Sequence, residues 1–298
     1  MDDKNQKQGI ELADILHKGI RTYKERYTLI QVQQKAVDDI VSCRTSKLGG
    51  HQKTCNNCGY TKQAYNSCRN RHCPKCQYVK QEQWVDKLAH NLLPCKYYHV
   101  VFTVPKELHG LIYRNQKRCY SLLFKAASQA LIKAAANPDY LGAQTGALAV
   151  LHTWTQTLCF HPHIHMLVPA GGLSDDGTEW VKTGKRFFLP QKVLSRIFRG
   201  ILVSLIKDEL EKGEIKLPAN VESIEGLKNQ VYQKDWNVYI KKSFRGVNSV
   251  LKYLGRYTHR VAISNSRFVE FTGEKISFKY TDNKDKGKRK VITLETSE

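Results

Sequence analysis

The sequence predicts an α+β protein: a mainly antiparallel sheet flanked by helices, preceded by a helical, zinc-binding domain. Three observations carry that expectation. Apolar residues recur at helical spacing near the start, at Leu12, Leu16, Ile20 and Tyr23 and again at Val32, Ala36 and Ile40. Six of the nine cysteines (Cys43, Cys55, Cys58, Cys68, Cys73 and Cys76) fall within 34 positions. Beyond them, β-rich runs alternate with helical stretches, and one run carries the pentapeptide His161-Pro162-His163-Ile164-His165.

At 298 residues with 41% hydrophobic content, the chain has room for two domains. The expected division is a helical, zinc-binding and DNA-binding domain over 1–90 and a second domain over 91–298. No segment approaches the ~18 to 20 apolar residues that span a membrane. The start, Met1-Asp2-Asp3-Lys4, offers no apolar signal region, so a cytoplasmic, nucleoid-associated protein is expected. Lys plus Arg 48 against Asp plus Glu 27 gives a formal charge of +21. That excess favours a polyanionic partner, nucleic acid before membrane. Neither a membrane nor a nucleotide cofactor is expected as a partner.

The opening helices end near Cys43, where Leu48-Gly49-Gly50 breaks the periodicity. Cysteines in a cytoplasmic chain are unlikely disulfides, and the clustered ones read as metal ligands. Cys55-x-x-Cys58-Gly59 and Cys73-Pro74-Lys75-Cys76 are two knuckles separated by 14 residues, enough for a loop to bring them together. Cys55, Cys58, Cys73 and Cys76 are therefore the expected tetrahedral ligands of a structural Zn²⁺. Cys68, His72 and His51 lie near enough to substitute or to build a second site. Arg69, Arg71, Lys75 and Lys80 decorate the same segment and are expected to face DNA phosphates. The scattered Cys95, Cys119 and Cys159 read as small core residues.

Next comes a helix with Trp84, Leu88 and Leu92 on one face, stopped by Pro94. Residues 97–104 read as a central strand ended by Pro105, and 107–135 as helix, broken or continuous, closed by Asn137-Pro138. Residues 146–157 form a strand leading through a short turn into the histidine strand. Ile197, Ile201 and Leu205 mark a further helix. Residues 213–230 are weakly patterned and read as a surface excursion. A strand over 236–240, a helix from Val247 to Arg256 or beyond, and a C-terminal hairpin complete the pattern.

On a strand, alternate side chains share a face, so His163 and His165 point together while Ile164 points away. The two imidazoles form half of a divalent-metal site. Parity on the preceding strand offers His152 or Gln156 as the third ligand. His161 has the same parity as the pair but stands beside Pro162 at the strand's start. In Lys252-Tyr253-Leu254-Gly255-Arg256-Tyr257-Thr258-His259-Arg260 the tyrosines are four apart, on one helix face, and Arg256 and Arg260 suit phosphate.

The segments YNSCRNRHCPKC, HPHIHMLVPAGG and YLGRYTHRVAISN together resemble the bacterial rolling-circle transposases of the HUH superfamily, the insertion-sequence ninety-one-like, two-tyrosine type. The resemblance covers about 40 to 265 of the chain. The resemblance implies an HUH nuclease domain in which a tyrosine attacks a DNA phosphodiester, leaving a 5′-phosphotyrosine and a free 3′-hydroxyl. It implies Tyr257 as primary nucleophile, Tyr253 as second, and Mg²⁺ or Mn²⁺ on His163, His165 and a third ligand. A His152 to His163 spacing of eleven resembles that of conjugative relaxases and favours His152 over Gln156. The tyrosine helix is expected across the sheet, its phenols near the metal. The partner implied is single-stranded or hairpin DNA at transposon ends. The resemblance also implies that family members run on past the point where this chain stops. Three other readings share some of these features: a plasmid replication initiator or relaxase, a non-catalytic zinc-dependent DNA-binding regulator, and a zinc hydrolase at His152, His163 and His165.

Overall fold

In the computed structural model, which describes residues 9–184, 189–244, 261–282 and 285–297, the histidine motif lies on an inner strand of a four-stranded antiparallel sheet. By internal contacts the chain forms two units. Of the described residues, the first takes 9–86, 156–158 and those from 261 on; the second takes 87–155, 159–184 and 189–244. The sequence reading drew a single boundary, after residue 90, and gave the whole tail to the second domain. By contacts alone, the described tail residues group with the first unit, through pairings distant in sequence.

In the first unit, α1 (Leu12–Arg26) packs on α2 (Gln31–Ser42). A capping box between Glu11 and Asp14 starts α1. A short antiparallel ribbon follows, β1 (Gly50–Thr54) with β2 (Thr61–Tyr65), and then α3 (Pro74–Ala89). The small core here is built on Ile40, Cys43, Cys73 and Cys76, with Leu12, Ala13, Leu16 and Cys68 against it. Such a core is too small to hold the ribbon by burial alone.

The tail contributes a three-stranded antiparallel sheet, β9 (Phe268–Phe271), β10 (Lys275–Asp282) and β11 (Lys288–Glu295), with β10 in the middle. It is fastened to α1: the Leu12 amide donates to Asn265 Oδ1 at 3.1 Å, and Lys18 Nζ lies 5.5 Å from the Phe271 ring centroid. Gly19 is buried on α1, where any Cβ would strike Thr296.

The second unit carries the sheet β4 (Leu148–Trp154), β5 (Phe160–Pro169), β3 (Tyr97–Thr103) and β8 (Val238–Phe244), in that spatial order and antiparallel throughout. Alternation divides its two faces. Val100, Phe102, Ile164, Met166, Val168 and Val238 are buried beneath α5 (Gln116–Ala136) and α6 (Gln191–Glu211). On α5 the buried positions include Ala126, Ala127, Ala130, Ala134 and Ala135, small enough for α6 to approach closely. Phe198 of α6 meets Phe102 at 5.0 Å and Trp236 at 5.5 Å between ring centroids. Burying each such aromatic or aliphatic side chain stabilises by about 1.5–3 kcal/mol. The opposite face of the sheet carries the histidines.

The helical stretch expected over 107–135 is broken: a 3-10 turn (Lys106–Leu108) and the short α4 (His109–Arg114) stand ahead of α5. The expected excursion over 213–230 contains a helix, α7 (Ile224–Tyr232), whose N-terminus is capped by Ser223 accepting from the Gly226 amide at 3.1 Å. Only Leu227 and Val231 of α7 are buried, so its sequence shows almost no stripe. A two-stranded ribbon, β6 (Gly171–Leu173) with β7 (Trp180–Lys182), completes the unit. Among the described residues no helix is long and apolar enough to cross a membrane.

Candidate metal centres

Among the described residues, two groups of donor side chains converge, one in each unit. In the first unit they are Cys43, Cys68, Cys73 and Cys76, all with sulfurs within 4.8 Å of one another. Cys43 follows the last residue of α2, Cys68 follows β2, Cys73 precedes α3, and Cys76 lies in its first turn. Cys43 Sγ is 3.5 Å from Cys76 Sγ and 3.6 Å from Cys73 Sγ, and Cys68 Sγ is 3.6 Å from Cys76 Sγ. Four thiolates at about 2.3 Å from one tetrahedral Zn²⁺ stand about 3.8 Å apart, so this donor set fits zinc. Backbone amides support the sulfurs: Cys68 N–H points to Cys43 Sγ at 3.5 Å and Asn70 N–H to Cys68 Sγ at 3.4 Å. Burial pushes the Cys73 thiol up to about 11 and the Cys68 thiol higher still. Buried thiols so close to one another ionise together only around a cation.

Of the expected zinc ligands, Cys73 and Cys76 are in this group and so is the alternative Cys68. Cys55 and Cys58 are not. They form the exposed tip of the β1–β2 ribbon, where Cys55 N–H donates to the Tyr60 carbonyl at 2.8 Å and Gly59 turns at φ +69°. The Cys58 and Asn57 amides donate to Cys55 Sγ and hold its thiol below the ordinary range. The knuckle is therefore formed, but among the described residues no third donor joins it. Cys43 and Cys68 stand in the two places the sequence reading gave to this pair. Only membership of the 34-residue cysteine run marked Cys43. His51 lies exposed on β1 and His72 exposed before Cys73.

The second group is His152, His163 and His165, whose donor nitrogens also lie within 4.8 Å of one another. Register explains why. In the β4–β5 hairpin His152 stands directly opposite His163, and cross-strand partners share a face. His165 is two residues further along that face. Ring centroids are 4.6 Å apart for His152 and His165, 4.8 Å for His163 and His165, and 5.5 Å for His152 and His163. Of the alternatives for the third position, Gln156 lies past the end of β4, in the turn, where its carbonyl accepts from Arg267.

The rings are held by their other nitrogens. His163 Nδ1–H donates to the His161 carbonyl at 2.7 Å, which leaves Nε2 with its lone pair. His165 Nδ1 and His99 Nε2 are 2.8 Å apart, with the two rings nearly parallel at 8°. His99 is 5% exposed and comes from the neighbouring strand β3, on the same face. Nothing in the sequence distinguishes His99, because which strand neighbours β5 is a topological fact. Burial is the main reason that His163 and His99 are both pushed down to about 4; the positive Lys241 adds to it at His99. Both rings are neutral at pH 7, the state a metal requires. Three imidazoles from one side leave the rest of a coordination sphere open.

Of the expected DNA-facing cations, Arg69 and Arg71 are exposed. Lys75 is occupied by Glu11 at 2.7 Å, and Lys80 Nζ donates to the Arg69 carbonyl at 3.4 Å. Tyr253, Tyr257, Arg256 and Arg260 lie outside the described residues.

The family models and the relatives that the chain matches are all described as transposases. Residues 146–298 match a family model described as "Putative transposase", and residues 15–104 one described as "Transposase zinc-binding domain". A relative from Sinorhizobium fredii, "Putative transposase y4qJ", is 38% identical over 98% of this chain and 75% of its own length. The transposase for insertion sequence element IS801 of Pseudomonas savastanoi pv. phaseolicola is 30% identical over 86% of this chain and 62% of its own length. Among solved structures, the conjugative relaxase TrwC in complex with OriT DNA overlaps partially. Its metal-free form covers 45% of this chain and 55% of its own at 14% identity and TM-score 0.30, and its metal-bound form covers 54% and 70% at 10% identity and TM-score 0.29.

Proposed function

Because the chain belongs to the IS91-like family of transposases, we propose that it cuts and rejoins single DNA strands through a 5′-phosphotyrosine intermediate. The observation that carries this reading is the convergence of His152, His163 and His165 on one face of a rigid sheet. A divalent ion held by these three would act as a Lewis acid for a phosphate oxygen. Three imidazoles without a carboxylate suit Mn²⁺ better than Mg²⁺, which prefers oxygen donors.

The chain's own residues do the rest. His99 and the His161 carbonyl fix the ring orientations of His165 and His163. Tyr257, with Tyr253 as the second nucleophile, attacks phosphorus. An Oη–P bond forms, the P–O3′ bond breaks, and the phenolic proton is lost while the 3′-oxygen gains one. A phenol with a pKa of ~10 is a weak nucleophile at pH 7, so neutralising the phosphate is the larger part of activation. Arg256 and Arg260 contribute positive charge beside that phosphate. The phosphotyrosine ester keeps the energy of the broken bond, and a second 3′-hydroxyl reverses the step without ATP. The cysteine group holds Zn²⁺ as structure.

The test is incubation with labelled single-stranded and hairpin DNA plus Mn²⁺, followed by denaturing electrophoresis, beside Tyr257→Phe, Tyr253→Phe and His163→Ala. A metal-dependent covalent protein–DNA band that disappears with Tyr257→Phe is the expected result. Cleavage without any covalent band would replace this reading with hydrolysis by metal-bound hydroxide.

A further inference from the structure

Two arginines in the first unit adopt left-handed backbone torsions, Arg44 at φ +59° and Arg69 at φ +56°. Each directly follows a cysteine of the four-sulfur group, Cys43 and Cys68 respectively. Glycine or asparagine adopts these torsions with the least strain, and arginine there is uncommon. The torsions are fixed by the surroundings. Arg44 N–H donates to the Asn66 carbonyl at 3.0 Å, and Cys68 N–H to Cys43 Sγ at 3.5 Å. Both arginines line one cleft of about 790 Å³, together with His51, Lys62, Tyr65 and Asn66. No acidic residue lines it among the described residues, and Tyr65 is 44% exposed. By contrast, the cleft between α1 and α2 mixes Lys24 and Lys35 with Asp38.

We propose that the cleft between Arg44, Lys62, Tyr65 and Arg69 binds an unpaired stretch of DNA, its phosphates on the three cations and a base stacked on Tyr65. This rests on the DNA-transferase reading above, and it names a second contact, on the zinc-ordered unit. Cations that track a backbone beside an exposed aromatic ring form the arrangement that receives single strands. A cleft also suits a splayed strand better than a duplex, whose grooves take in protruding elements. The metal would thereby act on DNA indirectly: four sulfurs set the backbone that aims two arginines at one place.

The test measures binding of the full, zinc-loaded chain to a fluorescent single-stranded oligonucleotide and to the matching duplex across a salt series. Arg44→Asn combined with Arg69→Asn removes both charges while keeping residues that tolerate φ > 0. The expected result is a loss of roughly 10-fold or more for the single strand. The slope of log affinity against log salt should also shrink by about 0.7 per arginine. Zinc content and melting temperature should stay unchanged, with a smaller loss on the duplex. Unchanged affinity and slope would overturn the proposal, and so would a loss confined to the duplex. If the asparagine pair sheds zinc, Lys62→Gln with Tyr65→Leu, away from the cysteines, decides by the same readouts. Binding is scored without cleavage, so a wild type that binds but never forms a covalent adduct would sink the transferase reading alone.

Discussion

The cysteine group of the first unit and the histidine group of the second gather their donors within the same 4.8 Å, by opposite means. The cysteines come from the end of a helix, the exit of a ribbon and the start of another helix, around a core of a few residues. The histidines come from two strands of a sheet whose other face is sealed by two long helices. The first donor set has little core around it, whereas the second sits on a sheet already packed on its other face. Four soft donors also close a coordination sphere, whereas three imidazoles leave it open. The same two ingredients, donors and backbone, thus give a closed donor set in one unit and an open one in the other.

The sharpest way to break this comparison is Cys43→Ser. Structural zinc contributes about 10–16 kcal/mol in small zinc domains. Hydrogen exchange should therefore show loss of protection across 43–80 while the β3 and β5 amides stay protected. If both units lose protection together, the second one is not self-supporting. A smaller effect is expected from His99→Leu. It removes the partner of His165 Nδ1 and should weaken Mn²⁺ binding by about 10- to 100-fold in calorimetry. The melting temperature should fall little, and His99→Gln should restore part of the affinity. Equal losses of affinity and stability would make His99 merely a core residue.

Acidity probes the histidine unit from another side. His99 and His163 are pushed down to about 4 in the fold, chiefly by burial, against ~6.5 when unfolded. Between those values the unfolded chain binds more protons, so stability is full above ~6.5 and is lost as pH falls toward 4. In chelator-treated protein the second unit's melting temperature should drop on the order of 5 °C from pH 7.5 to 5.0. A flat profile would mean that the rings are solvated. The smallest effect should come from Cys55→Ser. With its sulfur at an exposed ribbon tip, it should cost no more than about 1 kcal/mol and leave the zinc bound at Cys43 in place. Metal analysis showing that zinc lost would return Cys55 to the ligand set.

Legibility followed the range of the interaction. The β4–β5 hairpin and its histidines could be read because strand parity is local, and parity also nominated His152. Gln156 had the same parity, and only the end of β4 at Trp154 separates the two. Cys43 could not be chosen from spacing, because it reaches its partners through the path of α2 and not through a knuckle. His99 depends on β3 lying beside β5, and α7 on two buried residues and one serine cap. The tail's allegiance depends on contacts such as Leu12 to Asn265, which are 253 positions apart.

That last contact governs the order in which the molecule can be made. A ribosome releases α1 well before the Asn265 acceptor, the Phe271 ring and the Thr296 side chain that cover it. The second unit, contiguous between them apart from one turn, can fold while the chain is still growing. Of the two units, the one that begins first is therefore completed second. Until then, the part of α1 that the tail covers is exposed to whatever chaperone the nascent chain meets.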